Sequence, residues 1–203
     1  MRYEKGRKDA SRRRIIEVAS ERFRKEGIAA SGIASIMTDA GLTNGAFYPH
    51  FESKADLVCE CIAEAQEAQS KLLSETLASG GLESLITMYL SPEHRDNPEV
   101  GCTGAALLAE LARESATTRQ RYTKGLLSLA GELAKALPLQ VRDPEGVALA
   151  AFASLIGTLQ MARAVKGAAL SDRILAAGAD AARAIVQSHL APKKKSRAGY
   201  RKK

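Results

Sequence analysis

Apolar residues recur at steps of three and four along most of the chain, the period of an amphipathic helix. Between Asp9 and Gly27 the recurring positions are Ala10, Ile15, Val18, Ala19 and Phe23, and Gly27 stops the run. Residues 1–8 are charged and poor in apolar side chains, which predicts a flexible basic arm. Ser31 is placed to cap a short helix over about Gly32 to Ala40, closed by Gly41. Thr43 or Asn44 opens a third helix to about His50, and Pro49 forbids a long continuation. Ser53 with Asp56 resembles a capping box and starts a long helix to about Ala78, ended by Gly80-Gly81.

The remainder also reads as helix. Leu82 to Leu90 is followed by the loop "SPEHRDNPE", then by helices over Val100 to Arg113 and Thr117 to Leu137. After "PLQVRDPEG", Asp143 caps a helix that starts at Pro144 and reaches about Lys166. Ser171 is placed to cap the last helix, which ends near Leu190 with Pro192 at its exit. No strand-like alternation and no internal repeat occurs. The expectation is an all-α fold of about nine helices: an N-terminal three-helix head (9–56), a helical body (57–191) and a basic disordered tail (192–203).

Composition agrees with helix. Hydrophobic residues are 45% of 203, aromatics 4%, and Trp is absent. The +7 net charge is unevenly placed, because the last eleven residues, "KKKSRAGYRKK", carry seven Lys or Arg and no acid. Residues 1–56 hold 11 basic and 8 acidic side chains, and residues 57–192 hold 12 and 15. A basic head on an acidic body directs a polyanion to the head. The tail either adds sequence-blind DNA affinity or serves as a solubilising end. No uninterrupted apolar run of membrane-span length is evident, and no signal-peptide core follows the charged N-terminus. Three cysteines, an odd number, suggest a reducing cytoplasm.

"ASIMTDAGLTNGAFYPHF" fits a helix-turn-helix, whose second helix enters a major groove by its N-terminal end. Gly41 supplies the left-handed turn residue, Leu42 and Phe47 fill the corner, and Gly45 allows close approach. Thr43, Asn44, Tyr48 and His50 offer polar atoms to the groove, and Lys54 opens the next helix where phosphate is favoured. Arg12, Arg13 and Arg14 either reach phosphate or minor groove, or form a solvated helix face. The segment "GLTNGAFYPHFESKADL", preceded by "GIASIMTDA", resembles the DNA-binding domain of the TetR family of bacterial transcriptional regulators. The close match covers residues 9–57. Met37 stands where that family usually has Ala, and Pro49 replaces a residue that is often polar. The resemblance implies base-edge or phosphate contacts from Thr43 and Asn44, and phosphate contacts from Tyr48 and His50. It also implies backbone N–H groups of Ser31 and Gly32 turned to the opposite strand, with added charge from Lys54.

For the body, the resemblance implies an effector pocket, and a homodimer through the last two helices. The apolar circumference of Pro144 to Lys166 agrees with burial on two sides. Inward-facing pocket candidates are Leu85, Met88, Tyr89, Leu107, Leu111, Tyr122, Leu126, Leu155, Leu159 and Met161, with Cys102 beside them, together favouring a largely apolar ligand. The Gly-Cys at 101–102 resembles electrophile- and oxidant-responsive members. Cys102 is either a buried small hydrophobe or a thiol activated at a helix N-terminus. Cys59 and Cys61 point about 200° apart on one helix and cannot clamp one metal. No phosphate-cradling loop, metalloprotease helix, nucleophile elbow or acid/base constellation is present. The expected protein is therefore not an enzyme and needs no cofactor or metal. It is a cytoplasmic regulator, most simply a repressor released from a palindromic operator by a small molecule or by thiol modification. An effector-independent DNA-binding protein and a helical enzyme are the alternatives.

Overall fold

The computed structural model describes residues 2–190. Among them are eight α-helices and two 3₁₀ turns. The helices are α1 (Arg2–Glu26), α2 (Ile33–Asp39), α3 (Lys54–Tyr89), α4 (Pro92–Asp96), α5 (Thr103–Leu111), α6 (Ala116–Ala136), α7 (Pro144–Ala164) and α8 (Ala168–Ser188). The 3₁₀ turns are Asn44–Ala46 and Pro98–Val100. The fold is all-α, as the periodicity predicts. The basic tail lies outside the described residues.

Several boundaries differ from expectation. Residues 2–8 are not an irregular arm but the first turns of α1. Arg, Lys and Glu are good helix formers, so the helix extends without needing a buried face there. Ser31 does not cap α2, whose N-cap is Gly32. The buried Ser31 hydroxyl instead donates to the Gly27 carbonyl at 2.8 Å. Ser171 likewise caps nothing. α8 begins three residues earlier, and the Ser171 hydroxyl donates to the Ala162 carbonyl at 2.7 Å. The helix expected from Val100 starts only at Thr103, because Gly101 and Cys102 are extended.

Other local signals act as expected. Gly41 has φ 71°, its N–H bonds to Thr38 and the Leu42 N–H to Met37, a Schellman end to α2. Ser53 accepts from the Asp56 N–H at 3.1 Å, and Asp56 accepts in return from Glu52 rather than from Ser53. Asp143 caps α7 through the Gly146 N–H. At Gly80 and Gly81 α3 leaves helical geometry, with φ of 64° at Gly81, so a kink rather than a loop divides the long connector.

Two apolar clusters organise the molecule. The head cluster gathers Ile15, Ile16, Ala19 and Phe23 of α1, Ile36 and Met37 of α2, Phe47 and Phe51, and Leu57 and Ile62 of α3. Met37 is completely buried in it. Leu107 and Leu111 of α5 complete this cluster, although α5 belongs to the body by sequence. The body cluster centres on α7, whose Ala148, Ala151, Leu155 and Leu159 are buried against α6 and α8. By length and composition alone α7 could cross a membrane, contrary to the expectation that no segment would. Its place in the bundle core accounts for its apolar character equally well. Gly178 of α8 meets α7 so closely that a Cβ would stand 2.2 Å from Thr158 Cγ2.

Phe47 is 0% exposed and rests on Phe51 with ring centroids 5.4 Å apart. Phe47→Ala is expected to destabilise the head by about 3–5 kcal/mol. Urea unfolding followed by circular dichroism should show it as an earlier transition.

Candidate nucleic-acid interface and body cavity

The element after the Gly41 turn is shorter than a recognition α-helix. Ala46 and Phe47 donate to Thr43 and Asn44, i→i−3 bonds, and only Phe51 makes an i→i−4 bond, to Phe47. Pro49 has no N–H to reach Gly45, so the α-helical ladder is interrupted at its centre. The result is one 3₁₀ turn and a following turn over residues 47–50. Phe47 and Phe51 pin this segment to the core from below. Thr43, Asn44 and Gly45 remain exposed, and Tyr48 is 68% exposed with its ring edge-on to Phe47.

The other predicted contact residues are placed differently. His50 is half-buried, with Nδ1 buried and unpartnered. Burial lowers its pKa first, and Lys8 and Arg12 lower it further. Lys54 donates its Nζ to the Ile28 carbonyl, fastening the loop between α1 and α2 to the start of α3. Ser31 is buried and Gly32 exposed. Arg12 pairs with Glu60 at 2.7 Å and lies 5.2 Å over the Phe51 ring, while Arg13 and Arg14 stay on the solvent face.

In the body, a cavity of about 540 Å³ opens between α3, α4, α6, α7 and the segment Asn97–Cys102. Met88, Tyr89 and Cys102 line it, as does Leu85. Its apolar wall is completed by Leu72, Leu73, Val100, Leu129 and Phe152. Leu155 and Leu159, expected to line it, are fully buried core residues, and Met161, expected to face inward, is exposed on the outer side of α7. Leu107 and Leu111 lie in the head cluster, and Leu126 is half-buried away from the cavity lining. Tyr122 packs beside the head cluster, with its carbonyl accepting from Gln66 at 2.8 Å. Helical period identifies an inward face but not whether that face meets a void or another side chain.

Gln69, Ser91, Glu93, His94 and Asn97 add polar atoms to the lining that periodicity did not single out. Four of the five sit in or beside the Pro-bounded segment 91–98, which reads only as a loop. His94 is its structural centre. Its Nδ1 lies 2.7 Å from the Tyr89 carbonyl, and its Nε2 accepts the Cys102 N–H at 3.0 Å. An Nε2 that accepts leaves the proton on Nδ1, so the imidazole is neutral. Burial lowers its pKa, and nearby Arg163 lowers it further against the raising effect of the Tyr89 carbonyl. The Tyr89 ring meets the imidazole edge-on at 4.7 Å. Arg163 of α7 holds the carbonyls of His94 and Arg95 at 2.6 and 3.0 Å. Cys102 is the half-exposed N-cap of α5. Cys59 and Cys61 are buried, and burial pushes the Cys61 thiol up to about 12.

These elements define a helix-turn-helix protein with an open-sided cavity in its helical body. The family model described as "Bacterial regulatory proteins, tetR family" matches residues 15–61. The ArpR regulator of Pseudomonas putida is 36% identical over 78 residues, 38% of this chain and 37% of its own length. The TtgR regulator, also of Pseudomonas putida, is 40% identical over 62 residues, 30% of each chain. The chain thus spans about a third of the length of the curated relatives it matches. The fold extends further. NemR of E. coli, in its reduced form, superposes with a TM-score of 0.70 at 20% identity, covering 91% of this chain and all of that one. A TetR-family regulator from Cytophaga hutchinsonii gives 0.73 at 19%, covering 92% and 98%. Residues 15–61 thus carry the sequence pattern of that family, and the chain as a whole shares the fold of these solved structures.

A neutral, half-buried His94 ties folding to pH. The folded imidazole binds its proton more weakly than the unfolded one, whose ordinary pKa is 6.5. Below that pH the unfolded state takes up the proton first, so stability falls with acidification. Melting temperatures between about pH 7.5 and about pH 5.5 should therefore drop more steeply in the wild type than in His94→Gln. His50 and the carboxylates are common to both proteins and cancel in the comparison.

Proposed function

We propose that the protein is a cytoplasmic, homodimeric transcriptional regulator, acting as a repressor that leaves its operator when a small molecule occupies the body cavity. The observation that carries this reading is the turn Thr43–Tyr48. It places polar side chains in solvent directly above Phe47 and Phe51, which hold it rigid. Thr43, Asn44 and Tyr48 are the groups for base edges and phosphates, and Gly45 allows close approach. His50, neutral and half-buried, serves as a hydrogen-bonding group rather than a cation. The names of the curated relatives, HTH-type transcriptional regulators, support the same assignment.

The dimer is assigned to α7 and α8. Leu149, Ala150, Ala153, Met161 and Ala164 form an exposed stripe at helical spacing on α7, beside Leu170, Ala177, Ala181 and Ala184 on α8. Two-fold symmetry would present two turns to successive major grooves and select a palindromic operator. The cavity lining contains no lysine or arginine. An uncharged, largely apolar effector fits it better than an anion. Modification of Cys102, on the cavity wall, is a second route to release.

The test is fluorescence anisotropy with DNA flanking the protein's own gene, against a scrambled duplex at fixed salt. The wild type should prefer the flanking DNA. Asn44→Ala should weaken it by about tenfold or more, the loss of one base-edge contact, with an unchanged melting temperature because Asn44 is exposed. Equal affinity of both proteins for both duplexes would refute the assignment of the turn as the reading element.

A further inference from the structure

Among the described residues, three buried side-chain polar atoms have no hydrogen-bond partner: Arg22 Nε and His50 Nδ1 in the head, and the Tyr89 hydroxyl in the body. The third belongs to a residue that lines the cavity. Tyr89 ends α3 and is 5% exposed. Burial raises the pKa of its phenol well above the ordinary value, and the nearby Cys102 thiol raises it further. The group is therefore a neutral O–H, a donor closed off from water. The thiol does not complete a hydrogen bond with it. A buried donor without an acceptor carries a desolvation penalty that an incoming acceptor would remove.

The other polar groups of the lining are differently placed. Gln69 donates to Thr103 Oγ1 at 3.2 Å, the Ser91 hydroxyl accepts the His94 N–H at 3.1 Å, and Asn97 donates to the Glu93 carbonyl at 2.7 Å. Both ring nitrogens of His94 are engaged with backbone groups, and Glu93 is exposed. Tyr89 thus carries the one side-chain polar atom of the described lining that is both buried and unpaired. Its ring is fixed edge-on to the imidazole at 4.7 Å, and its carbonyl lies 2.7 Å from His94 Nδ1. The hydroxyl is held in one place before any ligand arrives. The Cys102 side chain makes no capping bond to α5, so it can turn aside for an incoming atom.

We propose that the effector is a neutral, mostly hydrocarbon molecule with one carbonyl oxygen, and that the Tyr89 hydroxyl selects it by donating to that oxygen. This rests on the reading of the cavity as an effector site. A ligand hydroxyl fits less well, since its own proton would face the Cys102 sulfur, a weak acceptor. An anionic oxygen would call for a cation, and the lining has no lysine or arginine. A volume of about 540 Å³ is ample for a drug-sized molecule.

Benzophenone and diphenylmethane share their rings and differ in a carbonyl against a methylene. Neither alkylates thiols, so Cys102 chemistry does not enter. Binding of each to the full-length wild type and to Tyr89→Phe is measured by equilibrium dialysis, which crosses ligand change with side-chain change. Tyr89→Phe should weaken benzophenone by about tenfold and diphenylmethane by less than about twofold. The infrared carbonyl stretch of isotope-labelled benzophenone should lie at lower frequency on the wild type than on the variant. Without ligand, the variant should melt at the same temperature as the wild type or higher, because an unpaired buried hydroxyl has been removed. Equal weakening of both compounds, unweakened benzophenone, or no binding of benzophenone to the wild type overturns the proposal. So does a lower melting temperature, which would mean that the hydroxyl already has a partner. Anisotropy with the flanking DNA, with and without benzophenone, separates this from the underlying reading. Selective binding that leaves DNA affinity unchanged strikes the cavity's role as an effector site and leaves Tyr89 as the selecting group. A DNA response that persists without selectivity strikes the role of Tyr89 alone.

Discussion

The head does not close its own core. Leu107 and Leu111 of α5 are buried in the same cluster as Phe23, Ile36, Met37, Phe47 and Phe51, where α5 packs on α1 and α3, and α5 begins at the wall of the body cavity. Burying a leucine side chain contributes about 1.5–3 kcal/mol, so detaching α5 would cost the head a sizeable part of its stability. The packing of the head is therefore a property of the whole chain, not of an autonomous module. This dependence joins two sites that the sequence treats as separate domains.

The turn over residues 43–50 shows a related economy. Pro49 interrupts the helical ladder, yet the segment keeps its shape because two aromatic side chains anchor it from beneath. Rigidity comes from packing rather than from a regular backbone. The exposed residues above then need no contacts of their own, and Thr43, Asn44 and Tyr48 remain available to a ligand. The short 3₁₀ geometry also keeps the exposed residues close together, within a single turn and its continuation.

Most helices were legible because apolar period and stop signals coincide, as at Gly27, Gly41, Gly80-Gly81 and Asp143. Where the reading erred, a side chain had a competing tertiary partner. Ser31 and Ser171 look like caps by position, but each hydroxyl serves a carbonyl that is otherwise buried. The cavity was only partly legible. Leu85, Met88 and Tyr89 were found by their faces and Cys102 by the Gly-Cys resemblance, whereas His94 was hidden in a segment whose composition signals only a break but which folds as α4. Its role depends on a pair of backbone groups, the Tyr89 carbonyl and the Cys102 N–H, which no side-chain pattern encodes. Leu107 and Leu111 show the complementary limit. Their inward face was correct, but the core they enter belongs to the other domain.

Charge counting illustrates why tertiary partners matter for function. The head's formal excess of three positive charges suggests a surface that attracts DNA mainly by electrostatics. Arg12 is paired with Glu60, Arg22 with Asp39 and Glu26, Arg24 is turned to the Glu99 carbonyl, and Lys54 to the Ile28 carbonyl. Four of eleven basic side chains are thus engaged in holding the head together or holding it to the body. Cations committed in this way release few counterions when DNA arrives, so they contribute little to a sequence-blind, salt-sensitive affinity.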